Sequence, residues 1–139
     1  MKRDFLKTLA NNSLRTTRPR IVIFEVFERA AKPLSTTEII RQCPEVDKVS
    51  VYRTIALFLK LHIIESTAHG WKQHYELATP FRPHHHHLFC TRCKNIVEIH
   101  SDALEHVIHI IASERTFQPT GHTFEISGLC KSCQKLHAE

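Results

Sequence analysis

The sequence predicts an α+β chain in two parts, with helices and a short hairpin in the first and an α/β arrangement in the second. Three observations carry that prediction. Up to about residue 61 the apolar residues recur mostly with helical period, and only then do they form two short strand-like runs. At Thr79-Pro80-Phe81-Arg82-Pro83, two prolines make a segment too stiff and too poor in donors for the interior of an element. Chemistry divides at the same place. Residues 1–80 carry thirteen Lys/Arg against eight Asp/Glu and residues 81–139 carry six of each, while nine of twelve histidines and four of five cysteines lie in the second part. Domains are therefore expected over 1–79 and 84–139, with 80–83 as a hinge.

Element by element, Asp4–Leu14 reads as a short helix. Thr16-Thr17-Arg18-Pro19 opens the next, a hydroxyl cap with proline in the first turn, where its missing N–H costs nothing. Ile21, Phe24 and Phe27 carry that helix to about Ala31, and Pro33 ends the region. Ser35-Thr36-Thr37-Glu38 is a capping-box pattern that starts a helix through Ile39 and Ile40 to about Cys43, where Pro44 stops it. A further helix spans about Lys48 to Leu61, with Val51, Ile55, Phe58 and Leu59 on its apolar side. Ile63–Thr67 and Gln73–Leu77 are strands joined by a turn through His69-Gly70. In the second part, Asn95–Ile99 and the region of Thr123–Ile126 read as strands, with a helix from Ser101 to about Arg115 between them.

Composition narrows the function classes. The chain has 139 residues, 42% hydrophobic and 24% charged, with a net charge of +5. No apolar run approaches the ~18 residues of a membrane span. The basic start, Met1-Lys2-Arg3-Asp4, is interrupted by charge before an apolar stretch forms, so no signal peptide is expected. A cytosolic location follows, where cysteines serve more often as metal ligands than as disulfides.

Helices followed by a hairpin, in a basic segment, describe a winged helix, whose recognition helix enters a major groove of DNA. On the Lys48–Leu61 helix, Ser50, Arg53 and Thr54 share a face, flanked by Lys48 and Tyr52. Arginine can pair bidentately with guanine, whereas lysine mainly meets phosphate. A solvated basic face on a protein-binding module is the alternative.

The second part holds two C-x-x-C pairs, Cys90-Thr91-Arg92-Cys93 and Cys130-Lys131-Ser132-Cys133. Two such knuckles supply the four sulfurs of a tetrahedral zinc site, whose closed shell leaves no position for a catalytic water. A redox dithiol or free cysteines are the alternatives. Cys43 reads as a small buried apolar residue. Just before the first knuckle stands His84-His85-His86-His87. In an extended chain His84 and His86 face one way and His85 and His87 the other, so one run serves two sites. Glu105 and His122 are candidates to complete one pair; Glu65, His69, His74, Glu76 and Glu98 are candidates for the other. A solvated polar loop is the rival reading. His62, His100, His106, His109 and His137 are read singly as surface or satisfied polar residues.

Thr17-Arg18-Pro19-Arg20, Ser50-Val51-Tyr52-Arg53-Thr54, the histidine run and the two C-x-x-C pairs together resemble the ferric uptake regulator family, over about residues 5–134. That resemblance implies a dimeric, metal-dependent transcriptional regulator, with an N-terminal winged helix and a C-terminal α/β dimerisation domain. It implies structural zinc on Cys90, Cys93, Cys130 and Cys133, and DNA contacts from Arg18, Arg20, Lys48, Ser50, Tyr52, Arg53 and Thr54. Tyr52 and Arg53 would read the major groove, with Arg20 near the backbone or minor groove. His84, His86, Glu105 and His122 match the site inside the dimerisation domain, although many members have Asp where this chain has His86. His85 and His87 match two ligands of the sensory site, with Glu76 and Glu98 at carboxylate positions.

The chain departs from the family at that sensory site. Iron- and peroxide-sensing members usually take a histidine from near the capping-box serine, where this chain has Lys32-Pro33-Leu34. Zinc-sensing members lack it, and often use an acidic residue from the first wing strand and a cysteine from the end of the second. Glu65 fits the acidic position, but no cysteine lies between Cys43 and Cys90, so His74, His69 or Glu76 would substitute. The expectation is a zinc-leaning repressor that binds operator DNA as a homodimer, with no small-molecule substrate, no membrane partner and no catalysis. Iron, manganese, nickel and peroxide sensing stay open within the family. A zinc-dependent hydrolase and a passive zinc-stabilised module are the rivals outside it.

Overall fold

The computed structural model describes residues 1–69 and 72–135. Gly70, in the turn expected through His69-Gly70, and His137 fall outside those residues. The chain divides into two compact units, Met1–Pro83 and His84–Glu139.

In the first unit, helix α1 spans Lys2–Asn11 and α2 spans Arg18–Arg29, with Pro19 in its first turn. Thr17 holds the extended N-cap backbone, but its hydroxyl makes no cap bond, which corrects the expected side-chain cap. Strand β1 (Leu34–Ser35) leads directly into α3, Thr36–Gln42. Here the capping box forms in full. The Glu38 N–H donates to Ser35 Oγ at 3.4 Å, and Glu38 Oε2 accepts from the Ser35 N–H at 2.8 Å and from its hydroxyl at 2.7 Å. Burial pushes the Glu38 carboxyl up, but the Ser35 donors and Lys32 outweigh it and hold it down at about 2. Helix α4 spans Lys48–Lys60 and is capped by Asp47, which accepts from the Ser50 N–H at 2.9 Å.

Strands β2 (Ile64–His69) and β3 (Lys72–Leu77) form the antiparallel hairpin, and β1 adds to its far edge in the order β1-β3-β2. This pairing, Leu34 opposite Tyr75, was not legible in a two-residue strand. Apolar faces of all four helices close over one core. Phe5 stacks on Phe24 with ring centroids 4.1 Å apart, Phe58 meets Phe5 edge-on at 5.5 Å, and Phe81 meets Phe24 at 5.9 Å. Ile23, Phe27, Ile39, Val51 and Ile63 fill the space around them.

The second unit contains β4 (His86–Cys90), β5 (Ile96–Ile99), α5 (Asp102–Glu114), β6 (Glu125–Gly128) and α6 (Lys131–Lys135). Its sheet runs β5-β4-β6, with β4 antiparallel to β5 and parallel to β6. Ser101 caps α5 by accepting the Leu104 N–H at 3.3 Å. The last strand lies two residues further along than the sequence pattern placed it. Pairing Cys90 with Gly128, and the Thr91 N–H with the Gly128 carbonyl at 2.8 Å, draws β6 toward the second knuckle. Apolar burial is sparse here: none of the α5 residues is buried, and Val107, Ile110 and Ile111 stand exposed along it. Among the described residues, no helix is long and apolar enough to cross a membrane.

Candidate metal centres

Beside the β4 end of the sheet, the turn after Cys90 and the start of α6 bring the two knuckles together. One sulfur from each of Cys90, Cys93, Cys130 and Cys133 lies within 4.8 Å of all the others. Cys93 and Cys130 Sγ stand 3.6 Å apart, close to the ~3.8 Å edge of a tetrahedron with Zn–S bonds of about 2.3 Å. Cys130 donates its N–H to Cys90 Sγ at 3.4 Å. That bond, with the Cys93 N–H, lowers the Cys90 thiol to about 6, while burial and then the neighbouring thiols push Cys133 up to about 12. One thiolate forms readily, and further ionisation in so small a volume calls for a compensating cation. The donor set fits zinc, as the spacing predicted.

The alternation expected of the histidine run is present from His84 into the start of β4. On one side, His84, His86, Glu105 and His122 place one donor atom each within 4.8 Å of one another. Glu105 Oε1 is the hub: it lies 2.7 Å from His86 Nε2, 3.3 Å from His122 Nε2 and 3.4 Å from His84 Nε2. His84 and His122 Nε2 are themselves 2.9 Å apart. The hydrogen bond from His86 holds Glu105 below the usual carboxylate range, and burial holds His84 below the usual imidazole range against the pull of Glu105. Both shifts favour the protonation state that binds a metal. Three imidazoles and a carboxylate converging on one small volume suit a divalent first-row ion.

The other side of this run carries His85, just before β4, and His87 within it, with ring centroids 4.9 Å apart. Glu98 is the Cα partner of His87 across β5, and Glu125 is its partner across β6, so carboxylates stand on both flanks of that imidazole. His100 follows on the same face, its ring 6.0 Å from that of His85. Sequence reasoning missed Glu125 and read His100 as a lone polar residue. Only strand register brings them here, and register is not a local signal.

The remaining candidates belong to the first unit. Glu65 and Glu76 are directly opposed on the hairpin, and His74 lies two residues along on the same face, opposite Thr67. Glu76 is buried with Arg82 Nη1 at 4.0 Å, whereas Glu65 is exposed. On α4, Lys48, Tyr52 and Arg53 are exposed and Ser50 half-exposed. Thr54 is only 5% exposed, so it leaves the predicted DNA-reading face. It falls in the core-facing series Val51, Thr54, Ile55, Phe58, where a small hydroxyl side chain fits against the apolar stripe. Arg18 is exposed, and Arg20 donates to the carbonyl of Arg15, which ties the start of α2 to the preceding loop.

A basic winged helix joined to a unit with two clusters of metal-binding side chains defines a metal-responsive transcriptional regulator. The chain belongs to the ferric uptake regulator family, whose model matches residues 11–127. It is 27% identical over 142 residues to the ferric uptake regulation protein of Campylobacter jejuni, covering 97% of this chain and 89% of that one. To the peroxide-responsive repressor PerR of Staphylococcus saprophyticus it is 28% identical over 137 residues, covering 94% and 90%. The fold is similar to that of the Helicobacter pylori ferric uptake regulator, with a TM-score of 0.80 at 25% identity, over 95% of this chain and 90% of that one.

Proposed function

We propose that this regulator is a homodimeric repressor of metal-homeostasis genes that binds operator DNA when its sensory metal is present, and that the sensory metal is zinc. The observation that carries the metal dependence is the division of labour in the histidine run that leads into β4: four consecutive histidines supply two separate donor sets beside a third set of four thiols. The similar Helicobacter pylori regulator is described as having three functional metal binding sites. In this reading Cys90, Cys93, Cys130 and Cys133 hold structural zinc. His84, His86, Glu105 and His122 hold a second ion, and His85 and His87 belong to the sensory set. Glu65, His74, Glu76 and Glu98 are the candidates to complete that set. The Lys32-Pro33-Leu34 segment, where iron- and peroxide-sensing relatives usually carry a histidine, supports zinc.

When bound, the ion supplies positive charge and coordinate bonds to groups that otherwise repel or disperse. Binding by the sensory imidazoles and their carboxylate partners then favours the DNA-competent state, in which Tyr52 and Arg53 meet the major groove. The response can be no larger than the difference in metal affinity between competent and incompetent arrangements. A coupling of about 1–3 kcal/mol changes operator affinity by about 5- to 150-fold. Val107, Ile110 and Ile111 on α5, with Val97 and Ile126 on the sheet, form the apolar surface that a second copy covers. The test is a fluorescence-anisotropy titration of chelated protein on DNA selected from a randomised pool, with zinc, ferrous iron and manganese added in turn. Zinc restores binding at the lowest free concentration if the reading holds, and binding that ignores all three metals overturns it.

A further inference from the structure

We propose that Val49 is a specificity-determining residue of α4, and that it seats the 5-methyl group of a thymine in the operator's major groove beside Tyr52. This rests on the reading that α4 enters operator DNA, and it deepens that reading by naming the base chemistry that one further side chain recognises.

The first observation is where the structure leaves apolar surface uncovered. Among the described residues of the first unit, the exposed large apolar side chains are Met1, Leu6, Val49 and Tyr52. Val49 is 56% exposed and Tyr52 58%, and they lie about one turn apart on α4. An isolated surface valine needs no explanation. This one has company. At about 100° per residue, Val49, Tyr52, Arg53 and Ala56 fall within an arc of about 100°. All four are exposed, while Val51, Thr54, Ile55 and Phe58 turn into the core. Val49 therefore stands on the face from which Thr54 withdraws. Helix stability does not account for it, because a β-branched residue is a poorer helix former than alanine, leucine or lysine.

Placement and charge select the occupant. Helix α4 starts at Lys48, and the Asp47 cap accepts the Ser50 N–H at 2.9 Å, so Val49 lies in the first turn. In helix-turn-helix readers it is the N-terminal residues of the recognition helix that meet base edges. Exposed Lys48 and Arg53 flank Val49, and residues 1–80 carry thirteen Lys/Arg against eight Asp/Glu, a balance drawn to a polyanion. In the major groove the methyl group belongs to thymine, and the other base edges present donors and acceptors. A valine side chain can neither donate nor accept, so the methyl is its complement there. Its χ1 is nearly fixed in a helix, so its two methyls meet the groove with little further loss of freedom.

The test uses full-length protein loaded with whichever of zinc, ferrous iron or manganese restores DNA binding, and an operator it selects from a randomised pool. Each thymine is replaced in turn, in both half-sites, by uracil, which removes the 5-methyl group and keeps the pairing edge. Dissociation constants are measured by fluorescence anisotropy for the parent and for Val49→Ala. Alanine favours a helix more than valine does, so a loss in this variant does not come from a weakened α4. At one thymine position, uracil is expected to weaken parental binding by about fourfold per half-site, the worth of one buried methyl. Val49→Ala should lose a similar factor on the thymine operator and become indifferent to uracil at that position. A uracil penalty that persists in full in Val49→Ala gives the methyl to another side chain and overturns the inference. So does a loss in Val49→Ala that is equal on the thymine operator and every uracil operator, or no loss at all. If the parent selects no sequence with any of the three metals, the reading of α4 as a DNA reader falls, and this inference with it.

Discussion

Met1–Pro83 surrounds a stack of phenylalanines with a continuous apolar core, whereas the described part of His84–Glu139 buries only Phe89, Cys90 and Cys133 among its apolar residues. The first unit satisfies the ordinary requirement of a small domain, a buried apolar interior closed over by helices. The second spends its interior positions on imidazoles and thiols and leaves Ile111 59% exposed on a helix with no buried face. Placed side by side, the two teach that one chain can divide its stabilising physics. Dispersion and the hydrophobic effect hold the first unit, while in the proposed reading coordination chemistry and a second copy hold the second.

The sharpest way to break that contrast is to remove a thiol. Cys133→Ser is expected to unfold the second unit, because structural zinc binding is worth about 10–16 kcal/mol in small zinc domains and is itself folding free energy. Proteolysis followed by mass spectrometry should show cleavage confined to residues beyond Pro83. The counterpart in the first unit is Phe24→Ala, which removes the ring shared by Phe5 and Phe81. It should lower that unit's stability by about 3–5 kcal/mol in denaturant melts and leave zinc content unchanged. Next in size is Ile111→Glu, which buries a charge wherever a second copy covers α5. Analytical ultracentrifugation should show monomer, with the melting of the first unit unaltered.

The smallest effect concerns the capping box. Ser35→Ala should cost about 1 kcal/mol, seen as a lower denaturation midpoint of the first unit. The same contact carries a pH signature. Glu38 is held at about 2 in the folded chain, below its ordinary 4.5, so its stabilisation is complete above about pH 4.5 and is lost as pH falls toward 2. Acid titration of Glu38→Gln should lack that component.

What the sequence made legible was local chemistry. Ser35 and Glu38 sit three residues apart, two C-x-x-C pairs announce one cluster of four thiols, and alternation along an extended run divides four histidines into two pairs. Each depends on spacing within a few residues. The misses depend on distant pairing or on which side of an element meets the core. The β1 edge, the drift of β6 toward Gly128, and the company of His100 and Glu125 are consequences of register between strands. Thr54 was misplaced because it lies where the reading face of α4 passes into its buried stripe, and a hydroxyl side chain reads equally well on either side. Thr17 keeps the cap position without the cap bond, since Pro19 already preorganises the first turn.

The most direct test of the account is hydrogen exchange followed through metal removal. Full-length protein loaded with zinc is treated with a strong chelator while amide protection is read in peptides from both units. The account predicts that peptides from residues 84–135 lose protection in step with zinc release, while those carrying Phe5, Phe24 and Phe58 keep theirs. Protection lost together across the whole chain, or retained in the second unit after its zinc has gone, would contradict it.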